Sequence, residues 1–445
     1  MISTSDVEAL LAPPARETDP LDIIMEQNKS RLTELVPVRI GRMSESPFAY
    51  YRGTAGPMAA DLATRPNSGV FPLICGDAHI GNFGYFASPE RNLLFDLNDF
   101  DEAGRGPFEW DLKRLATSVY LAAIDNGENE QTATTLAEKT SKYYRRTILR
   151  MNQQSALDRY YERVNTDNLE ELIKEEYQPI FNKFERKARN RNSEQALHKF
   201  TVTDDHGNIR IVDQPPLTLH TDEMSLESMR ELWQQYLYSA RPDIRYLLRN
   251  FRMKDHVLRV VGVGSVGTRC FITLLQDQLG NPLFIQVKEA QDTVLHTYGK
   301  IEQTSESLGF PDRPMGNGFR VVAGQRVMQS QSDAFLGWIT DVPTRQGTTT
   351  DYYVRQFRDM KGSINISALD AEGLKQTAKV CASLLARAHA QSRHIDDIAV
   401  YCEADKIFDV HMGRFAHSYA QICTQDFRRL HSAVEDGKLP IQYAL

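Results

Sequence analysis

The sequence is poor in cysteine, and its cysteines form no pattern. Cys75, Cys270, Cys381, Cys402 and Cys423 are odd in number, lie far apart and make no C-x-x-C pair. That excludes a disulfide framework and zinc-site spacing, and it fits a reducing, cytoplasmic compartment. A long hydrophobic run is missing too. The most apolar window, residues 257–275, is broken by Arg259, Arg269, Gly262, Gly264 and Gly267, so it reads as strands and not as a membrane span. The first 20 residues hold Asp6, Glu8, Glu17 and Asp19 without a cationic start or an apolar stretch, so no export signal is read there. Positive charge is not in excess: 52 Lys and Arg against 59 Asp and Glu give a net −7. This balance lacks the basic footprint of a nucleic-acid coat and leaves room only for a local anion pocket. No internal repeat is found.

What is present is ample material for a core: 20 Phe, 18 Tyr and 3 Trp in 445 residues. At about 100–200 residues per domain, the length fits two to four domains or one large two-lobed fold. Residues 1–20, with three prolines, read as a flexible arm. Helices are expected over 21–35 and near 58–62, and Phe71–Cys75 and Leu93–Leu97 read as short buried strands. Leu112, Leu115, Val119, Leu121 and Ile124 recur at helical spacing in Trp110–Asn126. Residues 130–200 read as charged helix, 204–216 as a hairpin insertion and 225–239 as helix. From Leu258 to Ala290 three strands joined by tight turns are expected. A helix near 293–307, a Gly/Pro-rich loop at 310–318, a strand at 352–357 and helix from 371 onward complete the pass.

The richest segment is Cys75-Gly-Asp-Ala-His-Ile-Gly-Asn-Phe-Gly84. Asp77 and Asn82 stand at the D-x-x-x-x-N spacing of a kinase catalytic loop. There the Asp accepts a substrate hydroxyl proton and the Asn holds magnesium. A second loop, Asp99-Phe-Asp-Glu-Ala-Gly-Arg-Gly106, begins like the metal-holding Asp-Phe-Gly but has Asp101 in place of glycine. Magnesium takes hard oxygen ligands, one or two from protein, and Asn82 and Asp99 are the candidates. Asp77, Asp96, Asp99, Asp101, Glu102 and Asp111 crowd into residues 77–111. Like-charge repulsion in such a window points to a cation with a phosphate ligand.

Gly262-Val-Gly-Ser-Val-Gly267 is a G-x-G-x-x-G followed by β-type sequence ending in Val287-Lys288. A Rossmann fingerprint would need a helix there. The kinase arrangement, a glycine-rich hairpin over phosphates and then a strand lysine, fits better. Gly262, Gly264, Ser265, Gly267 and Lys288 are therefore the nucleotide-binding candidates. Glu302 and Glu306 are both candidates for the acidic partner of Lys288. Arg52, Arg355, Arg358 and Lys361 are candidates for an anion pocket. The bland readings are a polar turn for Asp77 and Asn82, a glycine-rich bulge for the glycines and a backbone-bonding histidine for His79.

The run resembles the aminoglycoside phosphotransferase and choline kinase branch of the kinase-like fold. Residues 75–82 take its His-Gly-Asp-x-His-x-x-Asn pattern with Cys75 at the first place. Asp99-Phe100 and Trp110-Asp111-Leu112 take its second and third pieces. The resemblance implies that Asp111 braces the catalytic loop. The order is inverted, since the catalytic pieces precede the glycine loop and lysine. The implied fold is α+β, two-lobed, protein-kinase-like and circularly permuted, with a small β-rich lobe and a large mainly helical lobe. The implied segments are 21–130 (catalytic and metal loops), 131–250 (helical, with the hairpin), 251–360 (β-rich nucleotide-binding lobe) and 361–445 (the helical remainder).

Nearly all of residues 30–430 also resemble the bacterial family called domain of unknown function 2252. The pieces that carry this are Ser46-Pro-Phe-Ala-Tyr-Tyr-Arg-Gly53, Cys75-Gly-Asp-Ala-His79, Phe95-Asp-Leu-Asn-Asp-Phe-Asp-Glu102, Gly262–Gly267, Gln286-Val-Lys-Glu-Ala290 and Tyr353-Val-Arg-Gln-Phe-Arg-Asp-Met-Lys-Gly362. His296 departs from the expected glutamate of Val-Leu-Glu.

The expected activity is an ATP- and magnesium-dependent phosphotransferase acting on a hydroxyl of a small molecule or protein, with no nucleic-acid or membrane partner. A nucleotide-binding pseudokinase or interaction module, a nucleotidyl transferase and a metallophosphatase are the alternatives. The last rests on the Asp-x-His step in Gly76–His79.

Overall fold

The computed structural model describes the chain except for residues 1–2, 164–172, 192, 204, 206–207, 223, 261–265, 307–315, 345–346, 358, 405 and 444–445. It is a mixed α+β structure, 52% helix and 15% strand.

The helical part is built around Phe108–Asp125, which follows Pro107 and is buried on nearly every side. Glu130–Asn152, capped by Asn129, Ala371–His389, capped by Asp370, and Lys406–Glu435 pack around it. Their apolar faces merge into one core that includes Leu112, Leu115, Tyr144, Leu384 and Phe415.

Four short strands carry the loops of interest. The strands β1 (Leu73–Ile74), β2 (Phe83–Ala87), β3 (Leu93–Leu97) and β4 (Gly104–Arg105) pair antiparallel as β1 with β4 and β2 with β3. This nesting is the local reason that two distant loops meet. Residues 75–82 run from β1 to β2, and residues 98–103 return from β3 to β4. Asn98 N–H donates to the Asn82 carbonyl at 2.9 Å where they pass.

A small hairpin joins β5 (Thr201–Thr203) to β6 (Ile209–Ile211). The main sheet is antiparallel and six-stranded. It contains β7 (Thr218–Leu219), β8 (Arg252–Arg259), β9 (Cys270–Gln276), β10 (Pro282–Ala290), β11 (Gly337–Pro343) and β12 (Thr349–Gln356), in the order β11-β12-β10-β9-β8-β7. Successive side chains point to opposite faces. Phe271, Leu275, Leu283, Ile285 and Val287 enter one core with the helix Leu226–Ser239, while Ile272, Leu274 and Phe284 enter a second core with Phe200 and Ile211. The same alternation aligns Gln286 and Lys288 on β10 with Arg355 and Tyr353, their register partners on β12.

Several expectations change. The first 20 residues, read as an arm, contain the helix Thr4–Leu10 with Val7 and Leu10 buried. Of the helix expected over 293–307, Val294–Thr297 is α-helical; Lys300 at φ +57 turns the chain away and residues 301–304 carry no helix. The segment after 310, read as a loop, becomes the helix Gly316–Met328 from Gly316 onward. Its residues 318–325 are all buried, so it lacks the one-sided stripe that marks a surface helix. Edge strand β11 was not anticipated either. Gly337, Asp341 and Pro343 disguise it, and an edge position tolerates proline. Among the described residues, no helix is long and apolar enough to cross a membrane.

Candidate functional site

A cavity of about 730 Å³ lies between the paired loops and the sheet, and Asp77, Asn82, Asp99, Asp101 and Glu102 all line it. That volume lies in the range of small-ligand sites.

The floor of the site is held by one face of the helix Phe108–Asp125. Asp111, Arg114 and Ser118, at i, i+3 and i+7, each grip the loop at residues 75–80. Asp111 accepts from Cys75 N–H at 2.7 Å and Gly76 N–H at 2.9 Å. Its second partner is His389, whose Nε2 lies 3.3 Å away and whose Nδ1 meets Tyr144 Oη at 2.7 Å. Arg114 Nε donates to Asp77 Oδ1 at 2.8 Å, and Ile80 N–H donates to Ser118 Oγ at 2.9 Å. Gly76 sits at φ +77, and a Cβ there would meet the Glu102 carbonyl at 2.2 Å, so the turn requires glycine.

Asp77 points into the cavity with 17% of its side chain exposed. Burial pushes its carboxyl up, Arg114 draws it down, and the balance is about 6. His79 Nε2 is 4.0 Å from Asp77 Oδ2, and burial, with Arg52 and Arg114 nearby, holds its pKa well below the usual value. It is thus a neutral ring whose Nδ1 accepts from Gly81 N–H at 3.1 Å. Asn82 turns its Nδ2 to the Asp77 carbonyl at 2.7 Å.

The sheet brings Lys288 to the second loop. Lys288 Nζ donates to Asp101, lies 4.0 Å from Asp99 Oδ1 and is 2% exposed. Tyr353 Oη donates to the other oxygen of Asp101 at 2.8 Å. Burial alone would lower the Lys288 pKa, but Asp101 and Asp99 outweigh it and hold it well above the usual value. Asp99 follows the same logic with opposite sign. Burial raises it, and Lys288, Arg355 and Lys361 bring it below the usual carboxylate value. Arg355 Nε in turn donates to Gln286 Oε1 at 2.7 Å.

These contacts correct some expectations. The acidic partner of Lys288 is Asp101, and neither Glu302 nor Glu306 pairs with it. Glu102 is also engaged within the chain and accepts from Val294 N–H at 2.6 Å. Burial pushes the Glu102 carboxyl to about 7. The acidic crowding at 77–111 is answered largely from within the chain, by Arg114, Lys288, backbone N–H groups and His389. Gly262, Gly264, Ser265 and Arg358 lie outside the described residues. Gly267 is described. It adopts φ +92, its carbonyl accepts from Leu32 N–H at 2.8 Å, and a Cβ would stand 2.9 Å from Arg31 Cβ. Arg114 was missed. The available signal was its place three residues after Asp111 on one helix face.

The donors suit magnesium. With Nδ2 of Asn82 committed to a carbonyl, its Oδ1 is the atom left for a ligand, and Asp99 is an ionised carboxylate lining the same cavity. Among the described residues, no three His, Cys, Asp or Glu side chains converge as a metal site. Magnesium held by two protein oxygens, phosphates and water needs no such cage.

Residues 31–433 match the family model described as uncharacterized protein conserved in bacteria, domain of unknown function 2252. The chain belongs to that family. No curated protein and no solved structure matches.

Proposed function

We propose that this protein is an ATP- and magnesium-dependent phosphotransferase with a permuted kinase-like arrangement, acting on a hydroxyl acceptor. The observation that carries the reading is the meeting of Lys288 with Asp99 and Asp101 at a cavity also lined by Asp77 and Asn82. These residues come from opposite ends of the sequence order that a kinase uses.

Asp77 accepts the acceptor's hydroxyl proton. A carboxyl near pH 6 is ionised at neutrality yet basic enough to share a proton in the transition state. Arg114 fixes its orientation. The acceptor oxygen bonds to the γ-phosphorus, the bond to the β–γ bridging oxygen breaks, and ADP leaves. Lys288, held beside Asp99, supplies positive charge toward the phosphates. Bound at Asn82 and Asp99, magnesium would supply charge neutralisation. Most of the rate comes from positioning and electrostatics.

The test is magnesium-dependent ATP turnover by wild type, Asp77→Ala and Asp99→Ala. Loss of about a hundredfold or more in both is expected, and unchanged turnover in both sinks the assignment. Product analysis separates ADP release from pyrophosphate release, which would mark nucleotidyl transfer by ATP bound in reverse. The Lys288–Asp101 pair favours one other reading, a nucleotide-binding pseudokinase or interaction module. Thermal stabilisation by ATP without turnover would select it.

A further inference from the structure

Among the described residues, three guanidinium groups that line the cavity have no carboxylate within ion-pair distance. Arg31, Arg39 and Arg52 line the cavity, and none forms an ion pair among the described residues. Arg39 is 1% exposed. It donates only to neutral acceptors: the side chains of Asn28 and Gln27 and the carbonyls of Gly53 and Ile24. Arg31 donates to the Val266 carbonyl, and its Nε is buried without a partner. Arg52 Nε is also buried without a partner, and its guanidinium makes no hydrogen bond to a described residue.

Three of the acids that line the cavity are engaged elsewhere. Asp77 is gripped by Arg114, Asp101 by Lys288 and Tyr353, and Glu102 by Val294 N–H. A desolvated cation without a counter-ion is costly. The helix dipole at the end of Pro47–Arg52 favours a cation at Arg52, but it supplies no counter-ion to Arg31 or Arg39. Guanidinium groups match the forked oxygens of phosphate and carboxylate.

Position separates Arg52 from the residues assigned to the nucleotide phosphates, whereas Arg31 meets the glycine-rich segment at Val266 and Gly267. A Cβ on Gly81 would stand 3.5 Å from Arg52 Nε, so Arg52 borders the loop that carries Asp77. Lys288, assigned to the phosphates, sits instead at Asp99 and Asp101.

We propose that Arg52 binds an anionic group of the acceptor, a phosphate or carboxylate carried beside the hydroxyl that Asp77 deprotonates. The acceptor assignment rests on the phosphotransferase reading. The anion subsite itself does not.

Calorimetric titration of the full chain with inorganic phosphate, acetate and magnesium-ATP tests it, using wild type, Arg52→Lys and Arg52→Gln. Saturable binding of phosphate or acetate is expected, and the tighter of the two names the group. Arg52→Gln should weaken it about tenfold or more, Arg52→Lys less, and magnesium-ATP affinity should stay within about twofold. Equal anion binding by Arg52→Gln and wild type, or no anion binding by wild type, overturns the proposal. Equal weakening of magnesium-ATP assigns the arginine to the nucleotide and overturns it too. Arg52-dependent anion binding without any magnesium-ATP binding retains the subsite and sinks the phosphotransferase reading. If Arg52→Gln does not fold, wild type decides. Phosphate or acetate should protect Arg52 from phenylglyoxal, read by mass spectrometry, and equal labelling without protection refutes the subsite.

Discussion

Lys288 and Asp101, 187 positions apart in the chain, form an ion pair that ties the main sheet to the loop after β3. Tyr353, the register partner of Lys288 on β12, takes the other oxygen of the same carboxylate. One acidic side chain therefore clamps two neighbouring strands to the site. Asp101 stands where the kinase pattern has glycine, and its carboxylate does here what a glutamate on a following helix was expected to do.

Breaking that clamp should destabilise the fold. Removing one partner of a mostly buried pair leaves an uncompensated charge, at a cost of about 3 kcal/mol. Asp101→Asn and Lys288→Met should each lower the urea midpoint. The double variant should lose less than the two losses added, because the charges are removed together. Strict additivity would show that the pair contributes no coupling.

The acid limb of turnover should report Asp77. With its carboxyl near 6, the rate should fall as pH drops through about 6, because the protonated group cannot accept the hydroxyl proton. Arg114 holds that pKa down, so Arg114→Gln should move the limb upward by about one unit. A limb that stays in place in Arg114→Gln would separate Asp77 from the titration. On the phosphotransferase reading, Arg114 acts through Asp77 as a positioning residue.

Glu102 makes a pH-dependent contribution of known sign. Burial holds its folded value at about 7, above the ordinary glutamate value of 4.5. Below the lower value both states are protonated and no penalty exists. As pH rises from about 4.5 to 7, the unfolded state ionises first and the folded state loses relative stability. Glu102→Gln keeps an acceptor for Val294 N–H and removes that penalty. Its stability relative to wild type should therefore be greater at pH 8.5 than at pH 5, measured by urea denaturation. An identical difference at both pH values would refute the assignment.

Asp111→Asn should cost both stability and organisation of the loop. The carboxylate accepts from two backbone N–H groups, and an amide presents one acceptor oxygen and one donor nitrogen. One buried N–H is then left unpaired, at about 1–3 kcal/mol. Wild-type denaturation together with wild-type amide exchange at Cys75 and Gly76 would contradict this.

Much of the fold was legible where side-chain period speaks directly. Leu112, Leu115 and Val119 mark their helix, and β9 and β10 carry apolar residues dense enough for strands buried on both faces. The helix Gly316–Met328 was hidden because burial on all sides erases the period. The helix after β10 was overextended because the turn at Gly299 and Lys300 depends on left-handed backbone at Lys300, which its type does not advertise.

The candidate site divides the same way. Asp77, Asn82 and Asp99 could be read from the sequence because their spacing is short and set by one nested pair of hairpins. Asp111 was readable because it opens the helix that follows. The partner of Lys288, the grip of Arg114 on Asp77 and the lack of an ion pair, among the described residues, at Arg31, Arg39 and Arg52 were not readable. Local spacing fixes which residues share a loop or a helix face. Which charges meet across long separations depends on how the sheet docks against the helices, and burial then sets the pKa of each group. Sequence alone therefore determined the chemical types on the two loops, and tertiary structure decided which of those groups are paired and which line the cavity.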